Sequence, residues 1–437
     1  MSHFLYDALK KYKNKDMSSF HTPGHKNNFS IKYKNLLNFD FTELDDTDNL
    51  YDPRNSIDKA QNSAAKFFHT EKTLFSANGN TLAVKAMIAA VTNPGDEIII
   101  TRNIHKSVMI AVILLDLKPI WVYPEKNSFN KISKKKIEIL FKKKPNVKAL
   151  LVTSPDYYGV MCDIKELSSV CKKNKISLLV DNAHGTHLAC FFPEKLHPAM
   201  LGADLCADSA HKTLPVLTSG AFLHVINGKY KKRAKDAMSL FGSTSPSFPV
   251  LTSLDLAVDW MKKNGRSAFL RLKEKVKKIR RIANEKGIPV LNTKLQDPAR
   301  IVLGISNKNI CKKVFSEFKV QPEIYLSNSL ILIVSPFNRT KDFLRLKKVI
   351  SRLKPASDCE EVLPEFLPKQ EIVTSPRESY FADSETRDTQ NTLGKISAKF
   401  ICPCPPGIPI VMPGERVNQE TLFSLANAGI RKIRIVK

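Results

Sequence analysis

Between residues 72 and 180 the chain alternates short apolar runs with amphipathic ones, and this rhythm constrains the fold more than any other feature. Residues 72–75 read as a strand and 81–91 as an apolar helix. Asn93-Pro94-Gly95-Asp96 marks a turn. Then follow a strand at 97–100, a helix at 106–116, a strand at 120–123 and a helix at 132–143. A strand at 147–152, a helix at 163–174 and a strand at 176–180 complete the series. Just ahead of it, Ile57, Ala60, Ala64 and Phe67 recur at helical spacing. Strands this uniformly apolar need cover on both faces. The expected fold class is therefore α/β, with a mainly parallel sheet between two helical layers.

Near residue 290 the rhythm changes. Shorter strands, at 299–304 and 330–334, are interspersed with basic helices. A stretch rich in proline and acidic residues (354–378) and a proline-dense segment (402–414) follow. The expected division is an N-terminal arm (1–40), a large domain (41–290) and a smaller C-terminal α+β domain (291–437).

The chain has 437 residues, 43% of them hydrophobic, which suits a globular protein with a large core. Its net charge of +27 raises the question of nucleic acid. Lysine outnumbers arginine 53 to 16 and is scattered. The runs at 134–136 and 142–144 fall on one amphipathic helix, which is a solvated face, so no nucleic-acid partner is expected. No apolar run is long enough to span a bilayer, and the N-terminus lacks the order of a signal peptide. The expectation is a soluble, cytoplasmic protein. Cys171, Cys190, Cys206 and Cys311 sit singly in apolar stretches, as reduced buried thiols do. Cys402-Pro403-Cys404 has no second pair at zinc spacing. His184 and His187 share a glycine-containing loop that fixes no ligand geometry. No metal site is expected.

In open α/β sheets, ligands sit beyond the carboxyl ends of the strands. Asp181 ends the apolar run 176–180, where a carboxylate needs a partner such as a protonated pyridine nitrogen; a helix cap is the alternative. Lys212 lies in a short polar loop between apolar strands at 203–207 and 220–226. Enclosure there lowers an amine's pKa and favours attack on an aldehyde. Gly79, Asn80 and Thr81 open a helix directly after a strand, as a phosphate cradle does. His105 follows another strand and is placed either to stack on a ring or to cap a helix. Phosphate cradle, stacking His, strand-end Asp and Lys occur in the order a pyridoxal-phosphate site needs.

The motifs that carry a wider resemblance are His21-Thr22-Pro23-Gly24-His25-Lys26, Arg102-Asn103-Ile104-His105-Lys106-Ser107 and Asp181-Asn182-Ala183-His184-Gly185. Ser209-Ala210-His211-Lys212-Thr213-Leu214-Pro215, Ser243-Thr244-Ser245-Pro246-Ser247 and Pro405-Pro406-Gly407-Ile408-Pro409 continue the order. Over nearly its whole length the chain resembles the fold-type I ornithine/lysine/arginine decarboxylases, in the short bacterial form without an N-terminal wing domain. The resemblance implies pyridoxal 5'-phosphate held as a Schiff base by Lys212. It implies His105 stacked on the pyridine ring, Ala183 beneath it and Asp181 on its nitrogen. Ser209, His211, Gly79, Asn80 and Thr81 would meet the phosphate, and His184 belongs to the same cofactor-binding set. A homodimer or higher assembly is also implied.

The implied reaction is decarboxylation of arginine, lysine or ornithine to an amine that feeds polyamine synthesis. The substrate's α-amine displaces Lys212, CO2 leaves, and the ring accepts the electron pair. Asp181 keeps the ring nitrogen protonated, and Lys212 or a nearby His returns a proton to Cα. Asn80, Ala83, Asn182, Asp156 and Cys404 depart from the family pattern. Glu415, Asp46 and Asp156 are candidates for the substrate's distal cation. Two other readings stay open: another α-carbon reaction on the same cofactor, or a catalytically weak relative that binds or regulates.

Overall fold

The computed structural model describes residues 14–437 apart from 23, 27, 29–34, 45–46, 126–127, 355–361, 363, 365–366 and 403–406. Asp46 and Cys404, named above, lie outside the described residues. After a short strand β1 (Ser18–Phe20), seven strands form the central sheet: β2 (Lys72–Ser76), β3 (Glu97–Thr101), β4 (Lys118–Val122), β5 (Ala149–Thr153), β6 (Ser177–Asp181), β7 (Leu205–Asp208) and β8 (Ala221–Val225). Their order is β2-β8-β7-β6-β5-β3-β4. The pairs β7–β6, β6–β5, β5–β3 and β3–β4 are parallel. β8 runs antiparallel to both β2 and β7. The five middle strands β3, β5, β6, β7 and β8 carry almost only buried residues, because helices cover both faces.

One apolar layer packs Leu82, Met87, Ile88, Val108 and Val112 against Ile98, Ile100, Leu151 and Leu179. These side chains come from helices α1 (Gly79–Ala89) and α2 (Lys106–Leu114) and from the sheet. On the other face, α3 (Lys134–Lys143) and α4 (Ile164–Lys173) bury Ile137, Phe141, Leu167 and Val170. Asp163 caps α4 by accepting from the Glu166 N–H. The lysines of α3 leave only Ile137 and Phe141 buried, so that helix presents a solvated basic face.

A long helical rod, Phe248–Trp260 followed by Arg266–Glu285, leads out of the large sheet. Its buried stripe Phe269, Leu272, Val276 and Ile279 recurs every three to four residues. Beyond it the stretch expected to form one C-terminal unit contains two small structures. A three-stranded antiparallel sheet joins β9 (Arg300–Gly304) and β11 (Ile324–Tyr325) to β12 (Ser329–Ile333), while β10 (Val320–Pro322) pairs in parallel with β1. Separately, β13 (Ser384–Asp388) pairs with β14 (Lys432–Val436). The C-terminal chain is tied to the large sheet by Arg102, which donates to the carbonyls of Pro409 and Ile410 and pairs with Glu415 at 3.1 Å. Among the described residues no helix is long and apolar enough to cross a membrane.

Candidate active site

The parallel strands end at one sheet edge, and there the structure gathers Asp181, His184, His105 and Lys212. Asp181 closes β6, in register with Thr153 and Ala207 on its neighbours. Its Oδ1 accepts from Asn80 Nδ2 at 3.0 Å and from the Ala183 N–H at 3.2 Å. Burial pushes this carboxyl up to about 6, against the pull of the Lys212 amine and of those two bonds. Both bonds fall on Oδ1, which leaves Oδ2 to meet a cationic N–H.

Lys212 sits in the short helix Ala210–Thr213, in the loop that turns the chain from β7 back into antiparallel β8. Its Nζ is 3.0 Å from His184 Nε2. Burial lowers the amine's pKa, Asp181 and Glu323 oppose this, and Arg300 adds to it. Burial first, then Lys212 and Arg300, hold His184 well below the ordinary imidazole value. Its neutral ring lies edge-on to Tyr157, 5.4 Å between centroids, and its buried Nδ1 has no partner.

Of the two roles open to His105, the structure shows the cap. As N-cap of α2 its Nδ1 accepts from the Ser107 N–H at 3.2 Å. Its ring is also near enough to Lys212 that burial, aided by that amine, lowers its pKa to about 4. His211 points Nδ1 at the Gly220 carbonyl, 3.1 Å away. Ser209 occupies the cap position of the Lys212 helix, yet its buried hydroxyl makes no capping bond.

At the start of α1, Gly79 spends its N–H on the Ser219 carbonyl. The amides of Asn80 and Thr81 have no intrahelical acceptor, by helix geometry, and remain for an anion. The Asn80 side chain is turned to Asp181 instead, which leaves only its backbone amide for such an anion.

The residues present fit pyridoxal phosphate. An enclosed amine, a strand-end carboxylate with one open oxygen, an uncommitted buried hydroxyl and free helix-end amides match the aldehyde, ring nitrogen and phosphate of that group.

Of the acidic residues considered for the distal cation, Glu415 lies near this edge but is buried and paired with Arg102, just past the end of β3. Asp156 is buried inside its own turn, accepting from the Val160 N–H, and burial pushes it up to about 7. Neither reaches a substrate as a free carboxylate. Glu323, which sequence reasoning did not single out, is half-buried; it accepts from Tyr157 Oη at 3.0 Å and from the Thr22 N–H at 2.9 Å. Its negative charge acts on Lys212. Arg300 was missed too, although a cation opening the apolar run Ile301-Val302-Leu303 is a legible oddity.

The N-terminal motif is a clamp. Gly24 donates its N–H to the His211 carbonyl and accepts from Ser335 Oγ, and Lys26 Nζ donates to the Ile333 carbonyl. A Cβ at Gly24 would come within 2.5 Å of the Thr213 backbone, so only glycine allows this approach to the Lys212 loop.

Behind the sheet edge, His197, Asp208 and His224 bury their ring nitrogens and carboxylate together. His197 Nδ1 accepts from the Ala199 N–H, so its Nε2 carries the proton and donates to Asp208 at 2.9 Å. With that nitrogen occupied, the cluster is a hydrogen-bonded mount; through Asn182, which also donates to Asp208, it braces the Asp181 loop. His187 pairs with Asp297 at 2.8 Å, away from His184's partner, so the two loop histidines do not converge. A separate cavity of about 750 Å³, lined by residues such as Phe129, Met161 and Leu291, contains none of the site residues.

A seven-stranded, mainly parallel sheet with these groups at its edge defines a fold-type I pyridoxal-phosphate enzyme. The chain belongs to the Orn/Lys/Arg decarboxylase family: the major domain of that family matches residues 4–317 and its C-terminal domain residues 364–426. This family is pyridoxal-phosphate dependent. An arginine decarboxylase of Bacillus subtilis (strain 168) is 29% identical over 98% of this chain and 94% of its own. One from Halalkalibacterium halodurans is 29% identical over 96% of this chain and 91% of its own. The solved lysine decarboxylase A from Pseudomonas aeruginosa superposes with a TM-score of 0.78 at 19% identity, covering 98% of this chain and 80% of that one, a likeness of fold.

Proposed function

We propose that this protein removes the α-carboxylate of a basic L-amino acid (arginine, lysine or ornithine) as CO2, with pyridoxal phosphate held on Lys212. The carrying observation is the 3.0 Å contact between Lys212 and the neutral ring of His184, beside the buried carboxylate of Asp181. Bound pyridoxal phosphate supplies an electron sink in conjugation with the substrate's Cα. Asp181 Oδ2 would hold the proton on the ring nitrogen. His105 and Ala183 would cover the two ring faces, and Ser209, His211 and the amides of Asn80 and Thr81 would hold the phosphate. His184 Nε2 is placed to pass a proton to and from Lys212 Nζ, the group that protonates Cα. Glu323 is the acidic group that attracts the substrate's distal cation.

Arginine leads the three substrates because two of the most similar relatives are arginine decarboxylases. The amine product would serve as a polyamine precursor. A cytoplasmic setting suits the free, buried thiols of Cys162, Cys171, Cys190, Cys206 and Cys311. The test is CO2 release from labelled arginine, lysine and ornithine, with Lys212→Ala as control. Release from at least one, abolished in the control, is expected. Cofactor absorbance without release from any of them overturns decarboxylation in favour of another α-carbon reaction. Absence of cofactor absorbance points to a binding protein.

A further inference from the structure

We propose that Asn182 and Asp208 form a positioning clasp, which fixes the spacing between Asp181 and Lys212, the two side chains that grip opposite ends of one rigid ring. The inference rests on the pyridoxal-phosphate reading above. In pyridoxal phosphate the ring nitrogen and the carbon bearing the aldehyde lie across the ring from each other. Asp181 and Lys212 reach both ends together only if their two loops keep a set distance.

Those loops leave neighbouring strands. Asp181 ends β6, Asp208 ends β7, and Asp181 pairs in register with Ala207. One residue past Asp181, Asn182 sends two bonds across the gap. Its N–H donates to the Ala207 carbonyl at 2.9 Å, and its Nδ2 donates to Asp208 Oδ1 at 2.7 Å. Directly after Asp208 come Ser209 and the short helix that carries Lys212. The backbone bond continues the strand pairing. The side-chain bond is a second, separate tie, and both of its partners are fully buried.

Asp208 is held as an acceptor. His197 Nε2 donates to its Oδ2 at 2.9 Å, and His224 Nε2 lies 3.2 Å from the same oxygen. His224 Nδ1 is in turn 2.9 Å from Thr73 Oγ1 on β2. Burial works against ionisation, but these two rings outweigh it and hold the carboxyl well below its ordinary value. A carboxylate only accepts, so the Asn182 amide turns its Nδ2 towards it. His197 Nε2, 3.1 Å from the same Nδ2, carries its own proton and does not compete. Gly185 closes the other side of the amide: a Cβ there would lie 1.9 Å from Asn182 Oδ1. Asn182 is one of the positions that depart from the family pattern, and a donor facing Asp208 accounts for that residue type.

The test uses cofactor labelled with nitrogen-15 in its ring, loaded on the full chain and read by NMR as pH is raised. The signal reports whether the ring nitrogen holds its proton. Asn182→Ala cuts the side-chain tie and leaves Asp181 itself in place. The pH at which half of the proton is lost should fall by about one unit or more relative to the wild type, a roughly tenfold loss of proton affinity from a misaligned charged hydrogen bond. A tie that served stability alone would lower the urea midpoint and cofactor occupancy without moving that pH, because each bound ring would still meet a well-placed Asp181. An unmoved pH in folded, loaded Asn182→Ala therefore overturns the proposal. Should Asn182→Ala not fold, Asn182→Ser carries the same measurement: its hydroxyl ends one atom short of the amide nitrogen, the same shift is expected, and its absence overturns the clasp. If the wild type loads cofactor and the variant titrates like it, the clasp alone fails. If the wild type takes up no cofactor, the pyridoxal-phosphate reading falls with it.

Discussion

Asp181 and Lys212 draw their chemistry from where the chain puts them. A carboxylate at the end of a fully buried strand is raised to about 6 because desolvation outweighs its two hydrogen bonds. A pyridinium arriving at Oδ2 would stabilise the ionised form. Asp181→Ala should lower kcat by roughly three orders of magnitude while cofactor still binds weakly, as absorbance would report; near wild-type turnover would remove it from the mechanism. His105 offers a pH test. Folded, its imidazole takes a proton only near about 4, against an ordinary 6.5. Between those values the unfolded chain binds a proton that the folded one does not, so this side chain subtracts stability as pH falls from 6.5 to 4. Asparagine can keep the α2 cap without titrating. His105→Asn should therefore gain on the wild type in urea midpoint between about pH 7 and about pH 4.5, and an equal or falling difference would contradict the sign. At this scale the sequence was legible where residues follow strands in order: Asp181, His105, Lys212 and His184. Arg300 and Glu323 come from a second sheet about a hundred residues later, and no local spacing ties them to Lys212.

The central strands and their helices were legible because each is a short apolar run bounded by a turn. The observed strands shift from expectation by a residue or two, as with β4, which ends at Val122. Strand direction was less legible. β8 reverses because the loop from Ser209 to Gly220 folds back, and no periodicity records that. The pairing of Arg102 with Glu415 was also hidden, since the two are 313 residues apart. Both side chains are buried, and the pair fastens the C-terminal segment to the end of β3. Removing one partner strands the other charge in the core. Arg102→Ala should cost about 3–5 kcal/mol in urea unfolding, and a loss below about 1 kcal/mol would mean that the segment holds without it.

The whole molecule carries +27, and a basic amino acid approaches it as a cation. Long-range repulsion slows encounter, and salt screens it. kcat/KM should therefore rise as ionic strength goes from low to physiological, where attraction to a dominant acidic funnel would make it fall. Phe39, Phe41 and Leu44 stand exposed close together in sequence, with a pocket of about 230 Å³ between the two Phe residues and Phe248 and Leu251. We expect this face to be covered in a homodimer. Light scattering at micromolar concentration should give twice the 49.2 kDa chain mass, and a monomer would remove the expectation.

The clamp around Gly24 sets a timetable for synthesis. Ser18 and its strand wait for Val320 to pair, the Ser18 hydroxyl bonds Asp342, 324 residues on, and Gly24 needs Ser335. While the first 290 residues emerge, the sheet can form, but the loop carrying Lys212 has no second wall to rest on. The ribosome must pass Ser335, more than a hundred residues beyond Lys212, before the reactive amine is seated. A chain that has not yet emerged as far as Ser335 would thus offer a reactive aldehyde no fully walled site, and capture of the cofactor would wait for that later segment.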